Sequence, residues 1–106
     1  MMIKAPQSLL EIADFLTKKN LSVALAESFT GGGLAAAMTS IPGSSAWFQQ
    51  GWVVYSEAAK NQCLSVPLSL IEQQGVVSDA VARAMTDGVL RHSSADIALA
   101  TTGLAG

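Results

Sequence analysis

The segment Leu21–Ala26 is apolar at nearly every position and is short enough to be a single strand. A strand without alternation of apolar and polar residues is typical of a parallel sheet that is covered on both faces. Such a strand needs neighbouring strands on each side and helices above and below it. This one segment therefore predicts an α/β fold with a parallel sheet at its centre.

Two further segments have the same short, apolar character, and helical patterns separate the three. They are Gly51–Tyr55 and Asp96–Thr101. A β-α-β-α-β order is typical of parallel strands joined by right-handed crossovers. The chain has 106 residues, which leaves room for one domain only. We therefore expect residues 1–106 to form a single three-layer α/β/α domain.

Capping residues predict where the helices begin. Ser8 and Glu11 have the spacing of a capping box at the start of the first helix. Ser56 is a favourable N-cap for a helix over Glu57–Leu64, and Ser78 for a longer helix after it. Gly75 is expected to end the helix between them. The buried stripe of the long helix is predicted to consist of Val81, Met85 and Val89.

Charge and hydropathy exclude several classes of protein. The formal net charge is −2, which gives no basic surface for nucleic acid. Polar or charged residues interrupt every apolar run before it reaches the roughly 18–20 residues of a membrane helix. The segment Met1–Gln7 lacks the apolar core of a signal peptide, so we expect a cytoplasmic protein.

The single cysteine and the single histidine limit the chemistry further. Cys63 has no partner for an internal disulfide, and we expect it to be a small buried apolar residue. One Cys and one His are too few ligands for a zinc site, so no metal or cofactor is expected. A Ser-His-Asp triad would require His92, which lies at the far end of the last helix. That position is on the opposite edge of a parallel sheet from Ser28, and a histidine triad is excluded.

Candidate functional residues follow the carboxyl ends of the three predicted strands, where open parallel sheets bind their ligands. Glu27-Ser28 follows the first strand, Tyr55-Ser56 the second and Thr101-Thr102 the third. Lys60 lies in the first turns of the helix after the second strand, about one βαβ unit from Ser28. We expect these side chains to meet at one edge.

Ser28 has two interpretations. A serine at a strand-to-helix turn, followed by the amides of Thr30, Gly31 and Gly32, has the arrangement of an acyl-transfer nucleophile. Those amides could instead hold a phosphate at the helix N-terminus. In the alternative interpretation, Ser28 and Thr30 only cap the helix. Glu27 either caps or orients the loop, or is a solvated carboxylate at the end of the strand.

Lys60 is the remaining candidate for the general base. Its reference pKa of about 10.4 would have to fall by some three units, which burial can achieve. The alternative is a solvated lysine paired with Glu57. Thr101 and Thr102 either contact a substrate or complete a turn. The aromatic residues Trp47, Phe48 and Trp52 are expected to pack in the core or at an interface.

Five segments, taken in order, resemble the CinA C-terminal domain family, which includes bacterial nicotinamide mononucleotide deamidases. They are Ala26–Gly32, Pro42–Phe48, Gly51–Lys60, Gly75–Ser78 and Thr101–Gly106, with sequences such as AESFTGG and GWVVYSEAAK. The resemblance implies an amidohydrolase that converts nicotinamide mononucleotide to nicotinate mononucleotide and ammonia by a Ser/Lys mechanism.

The resemblance also implies residue roles. Ser28 becomes the nucleophile, Lys60 its base and Tyr55 an assisting hydroxyl. The expected substrate-binding residues are Glu27, Thr30, Gly31, Gly32 and Thr102.

The chain departs from the family pattern in two respects. Phe29 stands where the family usually has cysteine. Family members also continue beyond the final Ala-Gly with strands that make their sheet mixed, a last helix and a basic residue for the substrate phosphate. The sequence is therefore expected to be a C-terminally shortened form of the domain.

A nucleotide-binding or assembly module without catalytic activity is the alternative to the enzyme. It would keep the glycine-rich loop but lack a complete site. In either case the low proportion of charged residues, 13%, and the unpaired edges of a three-stranded sheet predict a homodimer or larger homo-oligomer.

Overall fold

The computed structural model describes residues 6–103, and its elements alternate between helix and strand as expected for an α/β chain. The elements in chain order are α1 (Gln7–Lys19), β1 (Val23–Glu27), α2 (Gly33–Thr39), a 3-10 turn (Ser44–Ala46), β2 (Phe48–Val53), α3 (Glu57–Leu64), α4 (Leu68–Gln74), α5 (Asp79–Arg91) and β3 (Ile97–Ala100). Within this part of the chain, no helix has the length and apolarity needed to cross a membrane.

The three strands form a parallel sheet in the order β2-β1-β3, which confirms the predicted architecture. β1 is the central strand and all five of its residues are buried. β2 begins at Phe48, three residues before the prediction, and has a register irregularity near its start. The apolar pattern did not predict this start because β2 begins with the polar residues Gln49 and Gln50 after Phe48. An edge strand accepts such residues, whereas a central strand would exclude them.

Side chains alternate across β1 and divide the core into two layers. Ala24 and Ala26 face a cluster contributed by α3, α4 and α5. Val23 and Leu25 face the opposite cluster, contributed mainly by α1, α2 and the segment before β2. Helices therefore cover both faces of the sheet, as the uninterrupted apolar run predicted. The second cluster consists of Leu9, Ala13, Leu16, Val23, Leu25, Met38, Ile41 and Trp47.

The predicted caps of α3 and α5 are confirmed, and the predicted capping box of α1 is wrong. Ser56 accepts a hydrogen bond from the Ala59 amide at 3.0 Å, and Ser78 accepts one from the Val81 amide at 3.2 Å. Pro6, not Ser8, is the N-cap of α1, and it makes no side-chain cap bond. The extended backbone at Pro6 already points its carbonyl along the helix, which places Ser8 inside the first turn.

Packing between α3 and α5 determines which of their residues face inward. Val81, Met85 and Val89 are fully buried, as predicted. Gly88 lies so close to Leu64 that a β-carbon at this position would overlap the Leu64 carbonyl. The prediction that Cys63 is buried is wrong, since Cys63 is exposed. The inward positions of α3 are Lys60 and Leu64, one turn apart, and Cys63 lies to the side of that stripe.

Trp47 confirms the expectation of core packing for the aromatic residues around β2. It retains 2% exposure, and its ring meets Phe48 edge to face with centroids 6.4 Å apart. Trp52 packs at the margin of the other cluster.

Candidate active site

The carboxyl ends of the three parallel strands bring the predicted site residues to one edge of the sheet. β1 ends at Glu27, β2 at Val53 and β3 at Ala100, so Ser28 and Thr101 follow neighbouring strands. His92 caps the end of α5, before β3 begins, and therefore lies toward the other edge. Its ring is 3.4 Å from the Ser65 hydroxyl. The exclusion of a histidine triad agrees with this placement.

Ser28 and Lys60 are in direct contact. The Lys60 Nζ lies 3.2 Å from the Ser28 Oγ, although the two residues are 32 positions apart in the sequence. Three residues separate the end of β2 from the start of α3, and Lys60 is in the first turn of α3 with its side chain directed back to the sheet edge. Lys60 has no exposed surface, and Ser28 is 3% exposed. The alternative of a solvated lysine is therefore wrong.

Two main-chain carbonyls hold the Lys60 amine in place. Nζ donates to the Val54 carbonyl at 3.1 Å and to the Tyr55 carbonyl at 3.3 Å. Carbonyl oxygens only accept hydrogen bonds, whereas a hydroxyl can donate or accept. A neutral amine has two N–H groups and one lone pair, so the two carbonyls would take both N–H groups. The lone pair would then point at the Ser28 hydroxyl.

Burial also favours the neutral form of this amine. Desolvation lowers the pKa of Lys60 below its ordinary value, and the nearby Glu57 carboxylate opposes this by a smaller amount. The charged form loses hydration inside the protein, whereas the neutral form loses little. A lysine with a lowered pKa beside a serine hydroxyl is suited to accept that hydroxyl's proton.

Two glycines give the loop after Ser28 its tight turn. Gly31 and Gly32 have φ values of 62° and 104°, in the left-handed region that favours glycine. The Gly31 amide donates to the Ser28 carbonyl at 3.1 Å and is used within the turn. Among residues 6–103, the amides of Phe29, Thr30 and Gly32 have no hydrogen-bond acceptor. These three amides are the donors that the loop offers to a ligand.

Glu27 caps α2. Its two carboxylate oxygens accept hydrogen bonds from the Leu34 amide at 2.6 Å and the Ala35 amide at 2.9 Å, and the residue has no exposed surface. Amides in the first turn of a helix have no acceptor within the helix, and Glu27 satisfies these two. Glu27 therefore caps α2 and orients the loop, and the interpretation of Glu27 as a solvated carboxylate is wrong.

Thr101 fastens the end of β3 to the same loop. Its Oγ1 accepts a hydrogen bond from the Ser28 amide at 3.3 Å and lies 3.1 Å from the Thr30 Oγ1. Its own amide donates to the Ala26 carbonyl at 3.0 Å and extends the ladder with β1. The sequence analysis predicted only that the Thr101 hydroxyl lies at the end of a strand. Its contacts with Ser28 depend on the adjacency of β1 and β3.

Thr102 and Tyr55 make main-chain contacts. The Thr102 hydroxyl donates to the Val76 carbonyl at 2.8 Å, which connects the end of β3 to the segment between α4 and α5. The Tyr55 side chain is 65% exposed, and it is the Tyr55 carbonyl that contacts Lys60. The substrate contact of Thr102 and the assisting role of the Tyr55 hydroxyl both stay predictions.

Comparison with known proteins identifies the family of the chain. The CinA C-terminal domain signature matches residues 7–106. A CinA-like protein of Chlorobium limicola is 52% identical over 95 residues, which are 90% of this chain and 22% of that protein. A protein of Enterobacter agglomerans named nicotinamide-nucleotide amidohydrolase PncC is 49% identical over 96 residues, 91% of this chain and 58% of that protein.

Solved structures show the same fold. The competence/damage inducible protein CihA from Agrobacterium tumefaciens superposes with a TM-score of 0.87 and 38% identity, covering 99% of this chain and 66% of that one. A CinA superfamily protein from Escherichia coli has a TM-score of 0.85 and 26% identity, covering 94% of this chain and 62% of that one. The chain thus spans only part of each relative's length. The signature match and these structural similarities together show that the chain belongs to the CinA C-terminal domain family.

Proposed function

We propose that this chain hydrolyses the carboxamide of nicotinamide mononucleotide to give nicotinate mononucleotide and ammonia. The observation that carries the proposal is the buried 3.2 Å contact between the Ser28 Oγ and the Lys60 Nζ. The name of the Enterobacter agglomerans relative, a nicotinamide-nucleotide amidohydrolase, supports this substrate class. A serine with an adjacent amine base is a known means of activating a hydroxyl for attack on an amide.

In the first half-reaction, the neutral Lys60 amine accepts the Ser28 proton as the Oγ attacks the carboxamide carbon. A C–O bond forms, and the carbonyl oxygen becomes an oxyanion in a tetrahedral intermediate. The Lys60 ammonium then protonates the leaving nitrogen. The C–N bond breaks, ammonia departs, and an ester joins the substrate acyl group to Ser28.

In the second half-reaction, Lys60 is neutral again and accepts a proton from water. The water oxygen attacks the ester carbon, and the Ser28 Oγ leaves with the proton returned by Lys60. The products are the regenerated serine and a carboxylic acid, which releases its proton to solvent to become the carboxylate. The two carbonyls that bind Nζ keep the amine in the same place for both steps.

The loop after Ser28 supplies charge stabilisation in this scheme. The amides of Thr30 and Gly32, which have no acceptor among residues 6–103, would donate to the oxyanion, while Gly31 maintains the turn. Removal of one such donor typically costs about 10²–10³ in kcat. Glu27 and Thr101 position the loop, and we retain Thr102 and Tyr55 as predicted substrate-side residues. A cytoplasmic location is part of the same proposal.

Release of ammonia from nicotinamide mononucleotide by the purified protein is the decisive test. Ser28→Ala should abolish release and leave cooperative unfolding in place. The matched control is Ser69→Ala, since Ser69 is exposed on α4 and distant in sequence from the site. Near-normal turnover by Ser28→Ala would contradict the nucleophile assignment. Binding of the nucleotide without turnover by the unmodified protein would favour the silent-module alternative.

Lys60→Arg tests proton transfer separately from charge. A guanidinium stays charged at every accessible pH and cannot accept the serine proton, so the variant should be inactive. In the unmodified protein, kcat/KM should rise with pH until the Lys60 ammonium is deprotonated. An active arginine variant would show that only a positive charge is needed.

A further inference from the structure

An exposed aromatic side chain adjoins the proposed nucleophile. Phe29 follows Ser28 directly in the loop, and 44% of its surface is exposed. Single exposed apolar side chains are common on protein surfaces, and Phe29 differs from the others in that it adjoins the proposed nucleophile. Ser28 itself is only 3% exposed, so Phe29 presents much more accessible surface than the serine that precedes it.

Gly103 determines where this ring lies. A β-carbon built on Gly103 would be 2.9 Å from the Phe29 Cδ1 and 3.1 Å from its Cγ, so a side chain at this position would require the Phe29 ring to move. The ring therefore packs against the bare Gly103 backbone just beyond the end of β3. Tyr55, 65% exposed, follows β2 on the other side of β1. Aromatic residues thus flank the nucleophile along the sheet edge.

We propose that Phe29 is a specificity-determining residue whose ring stacks on a planar, positively charged pyridinium ring of the substrate. This inference rests on the proposed function, because the nicotinamide ring of the mononucleotide carries its positive charge on the glycosylated ring nitrogen. The π face of an aromatic ring attracts a cation within about 6 Å of its centre. Stacking would hold the ring, and hence its carboxamide, beside Ser28. No such platform exists where the resembled family has cysteine.

The first experiment compares two probes of nearly the same shape and different charge. They are 1-methylnicotinamide, a cation, and nicotinamide, which is neutral. NMR titration of the protein should show about fivefold tighter binding of the cation, the ratio expected for a partly exposed cation–π contact. Phe29→Leu keeps an apolar side chain without a π face and should remove the preference, whereas Phe29→Tyr should retain it. Equal binding of both probes by the unmodified protein would overturn the proposal.

A second variant displaces the ring without removing it. Gly103→Ala places a methyl group where the ring now lies, so it should reduce the preference for the cation when Phe29 is present. In the Phe29→Leu background the same change should have no further effect on the preference. Additive losses in the double variant would contradict the idea that Gly103 acts through Phe29.

Steady-state kinetics separates this inference from the proposed function. Phe29→Leu should raise KM for nicotinamide mononucleotide about fivefold and leave kcat within about twofold. Turnover with an unchanged KM in the variant would overturn the role of Phe29 and leave the amidase proposal standing. A protein that prefers the cationic probe through Phe29 and releases no ammonia would overturn the amidase proposal alone.

Discussion

Replacement of Lys60 by methionine should change how the stability of the protein depends on pH. Lys60 is fully buried, and desolvation lowers its pKa in the folded state. In the unfolded chain the same side chain returns to a pKa of about 10.4. Between these two pKa values the unfolded state binds one more proton than the folded state. The free energy of unfolding therefore rises with pH in that window.

The size of the effect follows from proton linkage. One extra proton bound by the unfolded state gives a slope of at most about 1.4 kcal/mol per pH unit. Below the folded-state pKa both states are protonated, and Lys60 contributes no slope. Above about pH 10.4 both are neutral, and the slope vanishes again. A methionine cannot titrate, so the Lys60→Met curve should lack this rise.

Urea unfolding from pH 6 to 10, followed by the fluorescence of Trp47 and Trp52, measures the effect. The difference between the unmodified protein and Lys60→Met isolates Lys60, since all other groups are common to both. This difference in unfolding free energy also contains a contribution that does not vary with pH, because Lys60→Met removes the hydrogen bonds to the Val54 and Tyr55 carbonyls. The result to compare is therefore how the difference changes with pH. Lys19→Met is the matched control because Lys19 is exposed at the end of α1.

Parallel curves for the unmodified protein and Lys60→Met would refute the reasoning, because Lys60 would then titrate as it does in the unfolded chain. Glu57 provides a second test of the cause. Its carboxylate raises the Lys60 pKa, so Glu57→Gln should extend the rising window to lower pH. A window that contracts instead would contradict that assignment.

Three further predictions concern packing and assembly. Gly88→Ala should destabilise the fold by about 1–3 kcal/mol in urea unfolding, because the backbone of Leu64 occupies the position of the added methyl group. Gly33→Ala is the control and should not destabilise the fold, since the space around Gly33 is open. Glu27→Ala should lower the free energy of unfolding by about 1–3 kcal/mol for each amide left unsatisfied at the start of α2. Glu27→Gln should lower it less because it keeps an oxygen acceptor, and equal losses would contradict the capping role. Sedimentation at micromolar concentration should show self-association through the unpaired sheet edges, where Leu99 on β3 is 40% exposed, and a stable monomer would refute this.

The central strand was predictable because burial on both faces leaves a mark in the sequence itself. Every residue of β1 is buried, so each one has to be apolar or to have its polar atoms hydrogen-bonded within the protein. This requirement produces the uninterrupted apolar run. The edge strand β2 was only half predictable, since one side of an edge strand is free to carry Gln49 and Gln50. The capping-box spacing of Ser8 and Glu11 misled because such spacings also occur inside helices.

The order of strands and helices, and the chain reversals that depend on local conformation, could be predicted from residue types and their spacing. Asn20 and Gly75 end α1 and α4 with positive φ, a property of those residue types that needs no distant contact. The sequence also placed the chemically active side chains after strand ends. Family resemblance then singled out Ser28 and Lys60 from that set.

The contacts of each of those side chains depend on how the strands and helices pack together. Ser28 and Lys60 meet across 32 residues because β1 and β2 are neighbours and α3 packs back on the sheet. The same packing removes Lys60 from water and lowers its pKa, whereas an exposed helical lysine would have the same local sequence. It also turns Glu27 toward α2 and brings Thr101 to the Ser28 amide. Burial and contact depend on distances through space, and residue spacing along the chain does not specify them.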